Sequence, residues 1–206
     1  MGRVIASASM SLDGYIAKHD NTIGSLFDWL HNGDIELPTA SAGITFRLNR
    51  ASFDYWREWV ASIGALICGR TLFDFTKGWG GRHTMDVPVV VVTHTVPTEW
   101  ISAHPDAPFT FVTGGIHAAL AQATALAAGR NVAVTAGTIA RQCLDAGLLD
   151  EVAVDLVPVV MGDGRPYFGA TPVGDVPLGE PTTCIQSTRV THLRFPVKLD
   201  PDVPKV

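Results

Sequence analysis

The chain has 206 residues, 47% of them hydrophobic and 17% charged, with a net charge of −5 at neutral pH. That is enough apolar material for a sizeable core, and the absence of a basic stripe argues against a nucleic-acid surface. No apolar run approaches a membrane span, no signal peptide opens the sequence, and Cys68, Cys143 and Cys184 are unclustered; the expectation is a cytoplasmic protein with reduced thiols, no disulfide framework and no metal site.

In chain order, Val4 to Met10 reads as a first strand, apolar and then small, where Ala6, Ser7, Ala8 and Ser9 leave room beside the backbone for a ligand. Ser11-Leu12-Asp13-Gly14 is a turn, with a hairpin as its plainest structural reading, and Tyr15 to Ala17 resumes extended structure. Residues 20–45 lack a period and hold Gly24, Asn32-Gly33, Pro38 and Gly43 around a knot of Phe27, Trp29 and Leu30, which predicts a long loop of the kind that borders sites. From Phe46 to Ile63 the residues Leu48, Phe53, Trp56, Val60 and Ile63 recur at near-helical spacing.

Ala65 to Cys68 is a short strand that hands over to a helical turn through Gly69-Arg70-Thr71. A glycine, an arginine and a hydroxyl at such a junction suit a phosphate, which arginine grips with two hydrogen bonds; the competing reading is an ion-paired surface arginine. Gly78 to Gly81 is a flexible segment carrying Trp79. Val89 to Val92 is an unbroken β-branched run, expected to be a buried strand, and it ends in Thr93-His94. Phe109 to Val112 is another strand, ending at Thr113-Gly114-Gly115 before a helix with Ile116, Ala119, Leu120, Ala123 and Ala127 on one side. Polar residues at strand C-terminal ends lie where open α/β sheets take their ligands.

The stretch from Asn131 to Phe168 is the most informative. Val132-Ala133-Val134 stops at Thr135-Ala136-Gly137-Thr138; a helical pattern follows with Ile139, Ala140, Cys143, Leu144 and Gly147 on one face; a second apolar run, Val152 to Val160, closes at Gly162-Asp163-Gly164. Strand, small-residue turn, helix and strand make a βαβ unit, and the turn presents free N–H groups at the positive end of the helix dipole. The usual guest there is an anion such as a pyrophosphate, so the pattern points to a nucleotide. Thr171 to Pro181 is a proline- and glycine-rich loop, and Thr183 to Val197 reads as one or two strands added in antiparallel fashion.

Several of these stretches, taken in order, resemble one family. They are Ser11 to Ala17, Gly69-Arg70-Thr71 with Trp79 downstream, Val89 to His94, and Ala146-Gly147-Leu148-Leu149-Asp150-Glu151 running into Val157-Pro158 and Gly162-Asp163-Gly164. Together they resemble the dihydrofolate-reductase-like proteins related to the reductase domain of bacterial riboflavin biosynthesis, over about Val4 to Val197. The resemblance implies an α/β three-layer fold with a mostly parallel central sheet, helices on both faces and a C-terminal antiparallel hairpin. It implies one domain over 1–198, a tail over 199–206, a homodimer, and NADPH laid across the strands' C-terminal ends. Gly69, Arg70 and Thr71 would meet cofactor phosphate, and Thr93 and His94 would sit near the adenosine ribose and its 2′-phosphate. Thr113, at the next strand end, joins the cofactor-binding set. Ala136, Gly137, Thr138 and Ile139 would cradle the pyrophosphate, and Ser7, Ala8, Leu12 and Asp13 would lie by the nicotinamide and the substrate. The family usually has two glycines where Ala136-Gly137 stands; a methyl there narrows the approach, and alanine is poor where a positive φ is needed.

The chemistry expected is hydride transfer to an electron-poor C=N or C=O carbon of a small, flat heterocycle, with a proton delivered to the heteroatom by a side chain or by water. The candidate carboxyls are Asp13 and Asp54, each with a plain alternative as a turn or a solvated helical residue. The histidines show no metal-ligand spacing or nucleophile motif, and loop or surface positions are expected for all but His94. Trp79, Phe27 and Trp29 are candidates for a pocket roof or for core. The alternatives to a reductase using NADPH are a non-catalytic nucleotide-binding module and a reductase using a flavin or deazaflavin carrier. Thr135-Ala136-Gly137-Thr138 lacks the G-x-G-x-x-G pattern, which disfavours a Rossmann dehydrogenase, and the sequence holds no H-x-E and C-x-x-C deaminase signature.

Overall fold

The computed structural model describes residues 2–169 and 174–197, so the expected tail and part of the 171–181 loop lie outside the described residues. The first strand, β1 (Val4–Ser11), is followed by a turn and β2 (Tyr15–Ala17). A 3-10 helix over Gly24–His31 and the strands β3 (Ile35–Pro38) and β4 (Thr45–Leu48) come next, then α1 (Arg50–Ser62), β5 (Ile63–Gly69) and α2 (Arg70–Phe75). Beyond a second 3-10 helix at Lys77–Gly81 lie β6 (Val89–Val92), α3 (Thr98–Ala103), β7 (Phe109–Val112) and α4 (Gly115–Ala127). The chain then forms β8 (Asn131–Thr135), α5 (Thr138–Asp145), β9 (Glu151–Val157), β10 (Arg165–Pro166), β11 (Thr183–Ser187) and β12 (Val190–Pro196).

Eight of these strands make one sheet in the order β11-β12-β9-β1-β8-β5-β6-β7. From β9 to β7 all neighbours run parallel, and β12 and β11 add antiparallel pairs at one edge, the C-terminal hairpin that was expected. Alternation along β1 divides the core between the two faces: Val4 and Ala6 pack with Ile116, Ala119 and Ala123 of α4 and with Ile139, Ala140 and Cys143 of α5, whereas Ile5 packs with Trp59 of α1 and Phe73 of α2. The valine run of β6 feeds both faces, Val90 one and Val89 and Val91 the other, and all three are fully buried. Each contributes on the order of 2 kcal/mol by leaving water.

Four local expectations are corrected. The helix read over Phe46 to Ile63 starts later, because Thr45 to Leu48 pairs with β3 and buries only alternate residues, Phe46 and Leu48. Asn49 then sets the helix start: its backbone is extended and its side chain accepts the Ser52 N–H at 3.2 Å. Residues 20–45 are not one irregular loop. They hold the first 3-10 helix and β3, and Leu26, Trp29 and Leu30 form a third apolar cluster with Phe46, Leu48, Val157 and Val190. The turn at Asp13-Gly14 is present, with the Gly14 N–H on the Ser11 carbonyl at 3.0 Å, but β2 pairs with β10 rather than with β1, so it is not a hairpin. The strand read over Val152 to Val160 ends at Val157, since Pro158 has no N–H to continue the ladder.

Candidate functional site

Because β1, β8, β5, β6 and β7 are parallel, their C-terminal ends emerge along one edge of the sheet. The junctions there are built from small residues. Gly69 ends β5, and a Cβ on it would stand 3.2 Å from the Ile139 side chain of α5, which leaves little beyond hydrogen at that approach. Gly137 precedes α5 with φ +88°, a conformation that glycine alone adopts freely, and its N–H donates to the Tyr167 carbonyl at 2.6 Å. Ala136 is absent from the left-handed residues, and its methyl packs against the core. The alanine therefore meets no positive-φ penalty, and its side chain points into the core. No side chain caps the start of α5, and Thr138 is exposed, as are Thr113 and Gly114 at the end of β7.

Arg70 bridges two of these junctions. Its Nε donates to Asp74 at 2.7 Å, and its Nη1 donates to the Thr95 carbonyl at 2.8 Å and reaches Thr93 Oγ1 at 3.5 Å. Thr93 is buried and ties the turn beyond β6 by donating to the Thr95 carbonyl at 2.9 Å and accepting its N–H at 3.2 Å. His94 and Thr71 are exposed beside it.

At the end of β1, Ser7 and Ala8 are half-buried, Ser9 and Ser11 are buried, and Leu12 is exposed. Asp13 accepts from the Ser11 hydroxyl at 2.6 Å, from the Gly162 N–H at 2.7 Å and from the Met161 N–H at 3.1 Å. These donors, the Ser11 hydroxyl foremost, hold the carboxyl down at about 2. It is ionised throughout the neutral range and has no proton to give there; it binds the turn after β1 to the loop after β9. Asp54 stands apart, on the outward side of α1, between Arg50 at 3.6 Å and Arg57 at 4.0 Å, while Ser52, Tyr55 and Trp59 face inward. Both candidate carboxyls are thus engaged within the chain, Asp13 by three donors and Asp54 by two arginines.

A polar cluster that the sequence reading missed lies under α1. His192 is fully buried, with Nδ1 on Asp155 at 2.6 Å and Nε2 on Ser52 at 3.0 Å. Ser52 continues to Ser187 at 2.7 Å, and the Ser187 hydroxyl donates to Asn49 at 2.5 Å. Tyr55 stacks on the imidazole at 4.1 Å, and burial, with the Asp155 charge, pushes its hydroxyl up to about 12. Trp29, also buried, donates to Ser9 at 3.0 Å, and Ser9, Asp155 and His192 occupy one lateral row across β1, β9 and β12. Trp29 is thus core, Phe27 is exposed, and Trp79 is half-buried against His83 and Phe109. His83 is buried too, and burial lowers it to about 4. Along β12, Val190 and His192 are buried and alternate with a half-buried residue, which puts the histidine on the inward side; the apolar alternation visible in the sequence, Leu193, Phe195 and Val197, has the other phase and gave no sign of it.

On the opposite face an apolar hollow of about 460 Å³ is lined by Met10, Val152, Val154, Phe168, Leu178 and Phe195. The Tyr167 hydroxyl is turned away from it, donating to the Ala153 carbonyl at 2.9 Å. A hollow whose lining is so largely apolar does not suit a polar heterocycle. Among the described residues no group of three His, Cys, Asp or Glu could hold a metal ion, and no helix is long and apolar enough to cross a membrane.

The family model for the RibD C-terminal domain matches residues 3–191. A Shewanella sp. PV-4 protein assigned to riboflavin biosynthesis is 20% identical, with TM-score 0.67, covering 96% of this chain and 99% of its own. Acinetobacter baumannii RibD is 15% identical, with TM-score 0.62 over 96% of this chain and 58% of its own, so this chain spans somewhat over half of that protein. A Thermotoga maritima diaminohydroxyphosphoribosylaminopyrimidine deaminase/5-amino-6-(5-phosphoribosylamino)uracil reductase is 13% identical, with TM-score 0.59 over 96% of this chain and 57% of its own. Among curated proteins none matches.

Proposed function

This chain belongs to the RibD C-terminal domain family, and from that premise we propose that it is an NADPH-dependent reductase of a small, planar, pyrimidine- or pterin-like substrate, reducing a C=N or C=O bond. Membership of that family supports an oxidoreductase; the hydride carrier and the substrate class are our reading. The observation that carries it is the row of small and hydrogen-bonding residues along the C-terminal edge of the parallel strands.

That edge fits a dinucleotide. Gly69 and Gly137 keep side chains out of the junctions, and Arg70, Thr93, Thr113 and Thr138 supply a cation and hydroxyls. In this reading Gly69, Arg70, Thr71, Thr93, His94 and Thr113 would hold the phosphate-bearing adenosine half, and Ala136 to Ile139 would hold the pyrophosphate. Ser7, Ala8 and Leu12 would border the nicotinamide. When bound, the cofactor supplies the hydride. The chain's own residues position the two reactants and exclude water. Asp13, ionised, would keep the loop at Met161-Gly162 closed against the end of β1, and the proton would reach the substrate through water, because Asp13 and Asp54 are both otherwise engaged.

We also propose a homodimer, from the exposed apolar residues Leu12, Val160 and Leu178 together with the apolar hollow beside Phe195; light scattering at micromolar concentration should give twice the chain mass. The function is tested by following oxidation of NADPH in the presence of the ribosylaminopyrimidine phosphate and of dihydrofolate-type substrates. Oxidation with one of them supports the reading. Tight binding of cofactor with turnover of neither would exclude both substrate classes.

A further inference from the structure

Among the described residues four arginines pair with an aspartate four residues ahead: Arg50, Arg70, Arg82 and Arg141. Arg70 also reaches a second strand end, through the Thr95 carbonyl and Thr93. For the helix itself its placement is the wrong way round. Arg70 is the first residue of α2 and Asp74 the last but one, so the cation lies at the positive end of the dipole and the anion at the negative end. In this orientation the pair adds little to the helix. Nη2 of Arg70 donates to nothing among the described residues, while Nε is held by Asp74 at 2.7 Å. The guanidinium is about one-third exposed and the carboxylate about one-half, so both are open to a ligand.

We infer that Asp74 sets the cofactor preference of this chain, by competing with the cofactor's 2′-phosphate for Arg70. The inference rests on the nicotinamide reading above. A phosphate that engages this guanidinium must displace the carboxylate from Nε or share the group through Nη2, and in both cases a dianion lies within several ångströms of a fixed negative charge. At an exposed site that repulsion is worth roughly a three- to tenfold loss of affinity, and added salt weakens it. A ribose with a free 2′-hydroxyl carries no such charge and finds in Asp74 a hydrogen-bond acceptor. The wild-type protein therefore discriminates against NADH less than its arginine alone would dictate.

The test is calorimetric titration of the intact chain with NADPH and NADH for wild type, Asp74→Asn, Asp74→Glu and the control Asp86→Asn, which removes the equivalent pair at Arg82. Asp74→Asn should tighten NADPH about three- to tenfold and move NADH by less than about twofold, with the gain shrinking as salt is raised. Asp74→Glu should restore the wild-type ratio, and Asp86→Asn should leave both affinities alone. An unchanged NADPH to NADH ratio in Asp74→Asn, with both cofactors binding, would overturn the inference and leave the reductase reading standing. Failure of wild type and all variants to bind either cofactor would remove both.

Discussion

Two polar clusters in this molecule differ in what satisfies them. Under α1, Ser52, His192 and Asp155 form a serine–histidine–aspartate array with hydrogen-bonding distances of 3.0 and 2.6 Å, but Ser52 and His192 are both fully buried, and the array closes on Ser187, Asn49 and Tyr55. Along the C-terminal edge, Thr71, His94, Thr113 and Thr138 are exposed, and among the described residues Arg70 keeps an unengaged nitrogen. The first cluster has the geometry of a nucleophilic triad and no route for a substrate; the second has modest geometry and open donors. Access and unspent hydrogen bonds, more than resemblance to a known constellation, mark where a ligand goes.

The contrast predicts that the sealed cluster is read in stability and the open edge in binding. The largest effect should come from His192→Ala, which leaves Asp155 without its partner and opens a cavity beneath α1; denaturant unfolding should lose about 3–5 kcal/mol. A loss below about 1 kcal/mol would mean that the network is not a sealed structural unit. Next comes His83. Its folded value, about 4, lies below the unfolded 6.5, so the unfolded chain takes up the proton first. Stability should therefore fall as pH drops from about 6.5 towards 4, by up to roughly 3 kcal/mol, and His83→Gln should flatten that part of the profile. Its Nδ1 accepts the Met85 N–H at 3.2 Å, a bond that requires this nitrogen to be unprotonated.

Arg70→Ala belongs to the other cluster. It should weaken NADPH about tenfold and NADH much less, while unfolding stability stays within about 0.5 kcal/mol, because the residue is a partly exposed donor to a charged ligand. A matching loss of stability would place Arg70 with the structural group. The smallest effect is expected for Asp54→Asn: two exposed ion pairs are lost, so stability should change by less than about 0.5 kcal/mol and turnover by less than about twofold. A large fall in turnover would restore Asp54 as a proton donor.

What was legible in the sequence divides along the same line. The open edge is encoded locally: Gly69-Arg70-Thr71, Thr93-His94 and Thr135 to Thr138 each mark a strand end within a few residues, and the structure brings those strand ends to one edge. The sealed cluster draws its partners from α1, β9 and β12, separated by 37 to 140 positions, and no local pattern joins them. The same holds for Asp13, whose backbone partners Met161 and Gly162 lie 148 and 149 residues away, so a turn aspartate could not be told from a loop anchor. β4 escaped notice because four residues of alternation are easily absorbed into a following helical period, and only the Asn49 cap separates the two. At Ala136 the neighbouring Gly137 takes the positive φ, so the backbone conformation expected of a glycine pair is kept with one glycine.

The most direct test of the central claim, that the C-terminal edge is a nicotinamide dinucleotide site, is titration of the purified chain with NADPH, followed by heat and by tryptophan fluorescence. The account predicts saturable one-to-one binding, weakened about tenfold by Arg70→Ala and unaffected by His192→Ala at temperatures where that variant is folded. Absence of binding at millimolar NADPH, or binding indifferent to Arg70, would contradict it.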